Sequence, residues 1–423
     1  MRGHVKSLTN FHEVTMLKQS RLLLAILVLL VAVLACANPL GVDSPAPPNV
    51  ETIVAATFQA LTAAAPEPVI ATIPPEPSSL LPHSMYFLNN DSAGLVQVYR
   101  LEKDGKIVTQ ITFEPVKVDY YDVSLVDGSV AYISNNQIFM VDASGANRRK
   151  LIEGGAIDQN AMFLSNIIGL AWSPDGQTLA YGYKGLNFYS VATGQSNRML
   201  ENQINNSEGY SFPGELYWPE KYTADGSKLL ITLGYMEGAS AAIYYPNGSA
   251  VVRLSGGEGA MICCGNTEWA ADGSAFYAAS ATIGMFNPGL WRIDSSTGTV
   301  TTLINGDPGN GSFNFANAPY LAPDGQLYFF FVNQPNTNEF VSRTPLQLVR
   351  SALDGVTNRT VLRPETYNNM NEALWAPDAS FVIAAIAPIP DVYQGGSAEL
   401  IYTDGQKGVI SLIPFAMEMK WGP

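Results

Sequence analysis

The chain has 423 residues, 47% hydrophobic and 14% charged, with 37 Asp and Glu against 23 Lys and Arg, for a net charge of −14. That length holds one large domain or two ordinary ones, and the acidic balance repels phosphate backbones, which argues against a nucleic-acid partner. Gly 37, Tyr 20 and Phe 18, with no long helical pattern after residue 65, point to strands and turns.

At the N-terminus, Lys18 and Arg21 precede an apolar run from Leu22 to Leu34. Basic residues before a short apolar core are the pattern of a secretory signal. The run falls short of the roughly 20 residues a helix needs to span a bilayer. The alternative, an uncleaved transmembrane anchor, also puts the remainder outside the cytoplasm. The run ends at Val33-Leu34-Ala35-Cys36. This resembles the bacterial lipobox, in which a small residue precedes a Cys that is lipidated and becomes N-terminal after cleavage. The resemblance implies a lipoprotein signal over residues 1–36. It also implies a membrane anchor on Cys36 and a place in the cell envelope, on the extracytoplasmic side. Residues 1–36 carry Arg2, Lys6, Lys18 and Arg21 against Glu13, so the remainder is more acidic still.

Residues 37–82 read as a flexible Pro-rich linker. Within it, residues 50–65 place Val50, Ile53, Val54, Phe58 and Leu61 at helical spacing, which predicts a short helix. That segment has no Lys or Arg to favour anionic lipid. The folded domain is expected over residues 83–423.

In the domain one hairpin recurs. "LAWSPDGQTLAYGY", from Leu170 to Tyr183, has an apolar run, a turn at Pro174-Asp175-Gly176, and a second alternating run. The same turn stands at Asp127-Gly128, Asp225-Gly226, Asp272-Gly273 and Asp324-Gly325, and at Asp378-Ala379 with Ala replacing Gly. The intervals run from 47 to 54 residues, the sign of a repeat architecture. A second turn marker follows in each unit, at Gly105, Gly145, Gly194, Gly248, Gly298, Gly355 and Gly405. That leaves one unit without a first strand. "MEMKW", Met417 to Trp421, supplies it from the other end of the chain. Its alternation is expected to put Met417, Met419 and Trp421 on one face and Glu418 and Lys420 on the other.

Four strands per unit, repeated around a closed ring, predict an all-β, seven-bladed β-propeller of four-stranded blades. The Trp-x-Pro-Asp-Gly hairpins resemble TolB-like propeller repeats, related to WD repeats without their Trp-Asp signature. The resemblance covers residues 83–423. Trp172, Trp269, Trp375 and Trp421 share one register, with Tyr222 and Leu321 in the same place in two other blades. These are expected to pack between blades.

Catalytic groups are scarce. The three His are His4, His12 and His83; the first two fall in the signal, and His83 is expected to be exposed. One His builds no multi-histidine metal site. It also lacks the His set that the related oligogalacturonate lyases use with a metal. No G-x-S-x-G elbow or phosphate loop is present. No metal or cofactor is expected. Glu268, Glu372 and Glu418, with Lys221 and Lys420, fall on predicted innermost strands beside the central channel. Paired carboxylates there suit acid–base work on a glycoside; the favoured expectation is that they are solvated channel residues or pair with those lysines. Cys263 and Cys264 read either as two small buried thiols or as a vicinal disulfide in an oxidising compartment. Loops carrying Tyr210, Phe212, Tyr217, Trp218, Phe340 and Tyr393 suit protein or glycan binding, or packing on their own neighbours. The expected function is a monomeric, non-catalytic binding or scaffold module for an envelope protein or glycan. The alternative is a glycan-processing hydrolase or lyase using the channel carboxylates.

Overall fold

The computed structural model describes residues 79–423 apart from Glu208, Ser249, Asn266, Gly284, Met285 and 336–342. The signal over 1–36, Cys36, the helix at 50–65 and the linker up to residue 78 lie outside the described residues, as does Phe340.

The repeated turn has one local cause. The turn Asp Oδ1 accepts the N–H two residues on, from Ser129, Gln177, Ser227, Ser274, Gln326 and Ser380 in turn. This is the Asx turn such residues favour. The residue after the Asp takes a left-handed conformation, with φ from +64° to +77° at the five glycines and +57° at Ala379. Each turn joins the inner strand of a blade to the next strand out. These inner strands are Val118–Val123, Ile168–Trp172, Tyr210–Tyr222, Thr267–Trp269, Ser312–Leu321 and Met370–Trp375. Every blade adds its strands outward by antiparallel pairing with its sequence neighbour.

The seventh inner strand comes from the C-terminal end. Ile410–Trp421 serves two blades at once. Its first part pairs with Gly396–Tyr402, the third strand of blade 7. Its last part pairs with Met85–Asn90 of blade 1, with Met85 facing Trp421, Tyr86 facing Lys420 and Leu88 facing Met417. Gly422 N donates to Ser84 O at 2.8 Å beside it. The chain is thus a seven-bladed β-propeller whose first blade is completed by its last strand, and closure gives Met85–Asn90 the partner it would otherwise lack. The core includes Leu81, fully buried at the junction of blades 7 and 1.

Hydrophobic clusters fill the seven junctions between blades. Trp172, Trp269, Trp375 and Trp421 sit in them, with Tyr222 and Leu321 at the same register. Trp269, Trp375 and Trp421 donate their indole N–H to inner-strand carbonyls of the preceding blade, on Lys221, Ala318 and Trp375. This is the inter-blade packing expected of them.

Three expectations need correction. The alternation of "MEMKW" breaks at a bulge where Glu418 has φ +56°. Met417 therefore packs toward blade 2, whereas Met419 and Trp421 pack toward blade 7. The segment leading into blade 4 is no loop: Gln203–Ser207 pairs with the start of Tyr210–Tyr222 as a projecting hairpin. His83 is half-buried rather than exposed, its ring 6.3 Å from that of Trp421.

Strand direction sorts the connections. The Asp-Gly turns and the second Gly turns open on one face. The connections between blades, and those between second and third strands, open on the other. The long segments at 154–167, 202–207, 254–265 and 387–395 all fall on this second, long-loop face.

Candidate functional site: the central channel and the long-loop face

All five channel residues expected from the sequence lie on inner strands: Lys221, Glu268, Glu372, Glu418 and Lys420. They form two separate groups. Lys221 Nζ meets Glu268 Oε2 at 2.8 Å across the junction of blades 4 and 5. Both side chains are partly exposed, so the pair adds little stability.

The second group closes the ring. The Glu372 carboxylate accepts the backbone N–H groups of Glu418 and Met419, each at 2.8 Å. The bulge at Glu418 aims both N–H groups at blade 7, and Glu372 satisfies them. Lys420 does not pair with a glutamate. Its Nζ reaches Asp122 Oδ1 at 2.9 Å and Tyr121 O at 2.8 Å in blade 2. The other Asp122 oxygen accepts the N–H of Trp172 at 2.6 Å, and the Tyr121 hydroxyl donates to Glu418 O. Blades 7, 1, 2 and 3 are therefore stitched in series by side chains at the channel.

Burial pushes the Glu372 carboxyl up to about 7; the nearby Glu418 charge adds to the rise, while the two N–H bonds and Lys420 oppose it. Burial likewise raises Glu220, against the hydroxyl of Thr232, which donates to it. Both acids keep some surface on the channel but are otherwise enclosed by protein. Asp122, Tyr121 and Glu220 are the channel residues that sequence reasoning missed. The available signal was the charge of Asp122 and Glu220 at inner-strand positions; Tyr121 offered none.

Chemically, the group is already occupied with itself. Each Glu372 oxygen holds a backbone N–H, and each Asp122 oxygen holds a donor from another blade. Cys263 and Cys264 are joined by a disulfide, in the connection between blades 4 and 5. Cys263 is buried, and Cys264 has φ +62°. Among the described residues, no three His, Cys, Asp or Glu side chains gather as a metal site would require.

The long-loop face differs in composition from the turn face. Among the described residues, the exposed aromatics and methionines lie on it or on inner-strand positions beside it: Phe113, Tyr120, Met162, Tyr210, Tyr235, Met236 and Tyr393. The connections of the turn face expose only aliphatic residues of this size, such as Leu125, Val126 and Leu353.

No family model matches the chain, and no curated protein matches it. Among solved structures it is similar to TolB from Acinetobacter baumannii, at 16% identity and TM-score 0.40, over 79% of this chain and 81% of that one. It is similar to the Cps50 (Swd1) β-propeller domain of Myceliophteria thermophila, at 11% identity and TM-score 0.39, over 72% and 86%. It is also similar to a prolyl endopeptidase, at 13% identity and TM-score 0.48, over 89% of this chain but 57% of that one. The β-propeller fold stands on the seven blades and their closure described above.

Proposed function

We propose that this propeller is a lipid-anchored, extracytoplasmic module that binds a protein or glycan partner through its long-loop face and catalyses no reaction. The observation that carries this reading is the one-sided placement of exposed aromatics and methionines, together with the longest connections. Binding faces are enriched in such residues, and rigid scaffolds present them on loops. The bonding of the channel acids to neighbouring blades supports the non-catalytic part.

The test is capture of a partner from the native envelope by the full chain, compared with the triple variant Tyr210→Ala, Met236→Ser, Tyr393→Ala. Retention by the wild type and loss in the variant supports the reading; equal capture overturns it. Glycan turnover that disappears on replacing Glu268, Glu372 and Glu418 would instead make the chain an enzyme. For the anchor, Cys36→Ser is expected to abolish fatty-acid labelling. A variant that is still acylated and still membrane-bound after carbonate washing rules out the lipid on Cys36.

A further inference from the structure

A cleft of about 220 Å³ lies between blades 3 and 4 on the long-loop face. Its walls are largely apolar, from Met162, Phe163, Ile168, Leu216 and Trp218, and among the described residues Lys184 is the only charged residue lining it. On a chain of net charge −14, a cleft with one cation and no carboxylate is complementary to an anionic ligand.

The cleft is built rather than incidental. Trp218 lies against glycine backbone: a Cβ on Gly234 would stand 2.4 Å from Trp218 Cη2, and one on Gly182 would stand 2.8 Å from Trp218 Cβ. No larger residue fits at either position while the indole stays where it is. Lys184 is held at φ +55°, in a turn whose counterpart in blade 2 uses Asn135 and Asn136 at +50° and +56°. Gly or Asn adopts that conformation at less cost than Lys. Strain kept at an exposed lysine points to a use for its side chain. Among the described residues the Lys184 ammonium makes no salt bridge; it sits 5.2 Å from the Tyr183 ring.

Three polar groups at the cleft are engaged inside the protein. Asn202 Oδ1 accepts the N–H of Tyr217, the Tyr183 hydroxyl donates to Gly154 O, and the Tyr217 hydroxyl donates to Glu215. That leaves the Asn166 amide and Asn202 Nδ2 beside walls that are otherwise apolar. The volume is below the roughly 300 Å³ at which small-molecule sites begin, and it suits a single large side chain, the usual anchor of a protein interface.

We propose that this cleft seats a bulky apolar side chain of a protein partner, and that a carboxylate beside it in the partner's chain pairs with Lys184. The proposal rests on the binding reading above and narrows it from protein or glycan to an acidic–apolar protein segment.

The test uses the detergent-solubilised full chain and the probe acetyl-Asp-Phe-amide, with acetyl-Lys-Phe-amide and acetyl-Asp-Ala-amide as controls. Binding is read by calorimetry and by indole fluorescence against a Trp218→Phe blank. The acidic phenylalanyl probe is expected to bind at least tenfold more tightly than either control. Lys184→Gly, which relieves the backbone strain, is expected to remove the preference for Asp over Lys with no loss of melting temperature. Equal binding of the three probes, or an unchanged preference in Lys184→Gly, overturns the proposal. So does tighter binding of glucuronate or N-acetylglucosamine than of the peptide. A self-association that Lys184→Gly abolishes overturns it too, by making a second copy the occupant. If the envelope partner is still captured while the cleft shows no peptide preference, the cleft proposal fails and the binding reading stands. If the wild type captures nothing, the binding reading itself fails.

Discussion

Ala379 occupies the left-handed turn position that glycine holds in the other five Asp turns. The residue is 3% exposed, in the cluster with Trp375 and Val382. Burying a methyl group contributes about 0.8 kcal/mol, against roughly 1–2 kcal/mol for the strained conformation. Gly325 has φ +77° and nothing within 4 Å of an added Cβ, so an alanine there meets the strain without the burial. Gly325→Ala is expected to lower stability by about 1 kcal/mol in urea unfolding, and Ala379→Gly by less than about 0.5 kcal/mol in either direction. Glu372 is the second informative residue. Its folded pKa, about 7, lies above the unfolded carboxylate value, so the folded state holds a proton that the unfolded state has lost. Its contribution is present below the unfolded pKa and is lost as pH rises through about 7, with a slope of up to about 1.4 kcal/mol per pH unit between the two pKa values. In Glu372→Gln that part of the pH slope should vanish. The variant is also expected to be less stable at pH 5, because one amide oxygen cannot hold both the Glu418 and Met419 N–H groups. An unaltered slope between pH 5 and 8 would show that another group titrates.

At the scale of the strand, Ile410–Trp421 carries more than its length suggests. Removing residues 416–423 takes away the fully buried Ala416, the buried Met419, both N–H groups on Glu372, and the Lys420–Asp122 pair. It also leaves Met85–Asn90 with an open edge. The deletion is expected to destabilise the whole ring by several kcal/mol, far beyond the fraying of an ordinary terminus. An unchanged melting temperature would count against closure as a source of stability. The strand was legible in the sequence because its partner turns are counted by glycines: Gly105 to Gly405 mark seven units and the Asp turns only six. Its bulge was not legible, since a bulge inserts a residue without altering the residue types around it. The hairpin at Gln203–Ser207 escaped notice for another reason. Its Asn-rich strand has no alternation to read, and its pairing is supplied by the extended start of Tyr210–Tyr222. Glu220, whose partner Thr232 lies in its own blade, was missed beside Lys221; Asp122 was missed because its partners, Lys420 and Trp172, belong to other blades. Those partners are fixed by how the ring curves, and local spacing carries no record of that.

For the molecule as a whole, two families of carboxylates pull stability in opposite directions with pH. Turn aspartates in every blade are held below the ordinary carboxylate range by hydroxyl and backbone donors, Asp225 and Asp294 down to about 2. Their contribution is present above the unfolded pKa, near 4, and is lost as pH falls toward about 2. Glu372 and Glu220, raised by burial, act the other way. The melting temperature is therefore expected to peak in mildly acidic buffer, near pH 5, and to fall on both sides; a monotonic rise from pH 4 to 8 would contradict this. Closure also has a consequence in time. Residues 417–421 are synthesised last in the domain, yet they complete the blade that begins with Met85. While the ribosome makes the six blades between, the first strand waits without its neighbour, and its backbone donors and acceptors face whatever else is near. Contacts this distant in sequence form slowly, and an unpaired edge of this kind invites wrong pairings in the interval. The nascent domain thus has a vulnerable period that ends only when its final residues are free to reach its first.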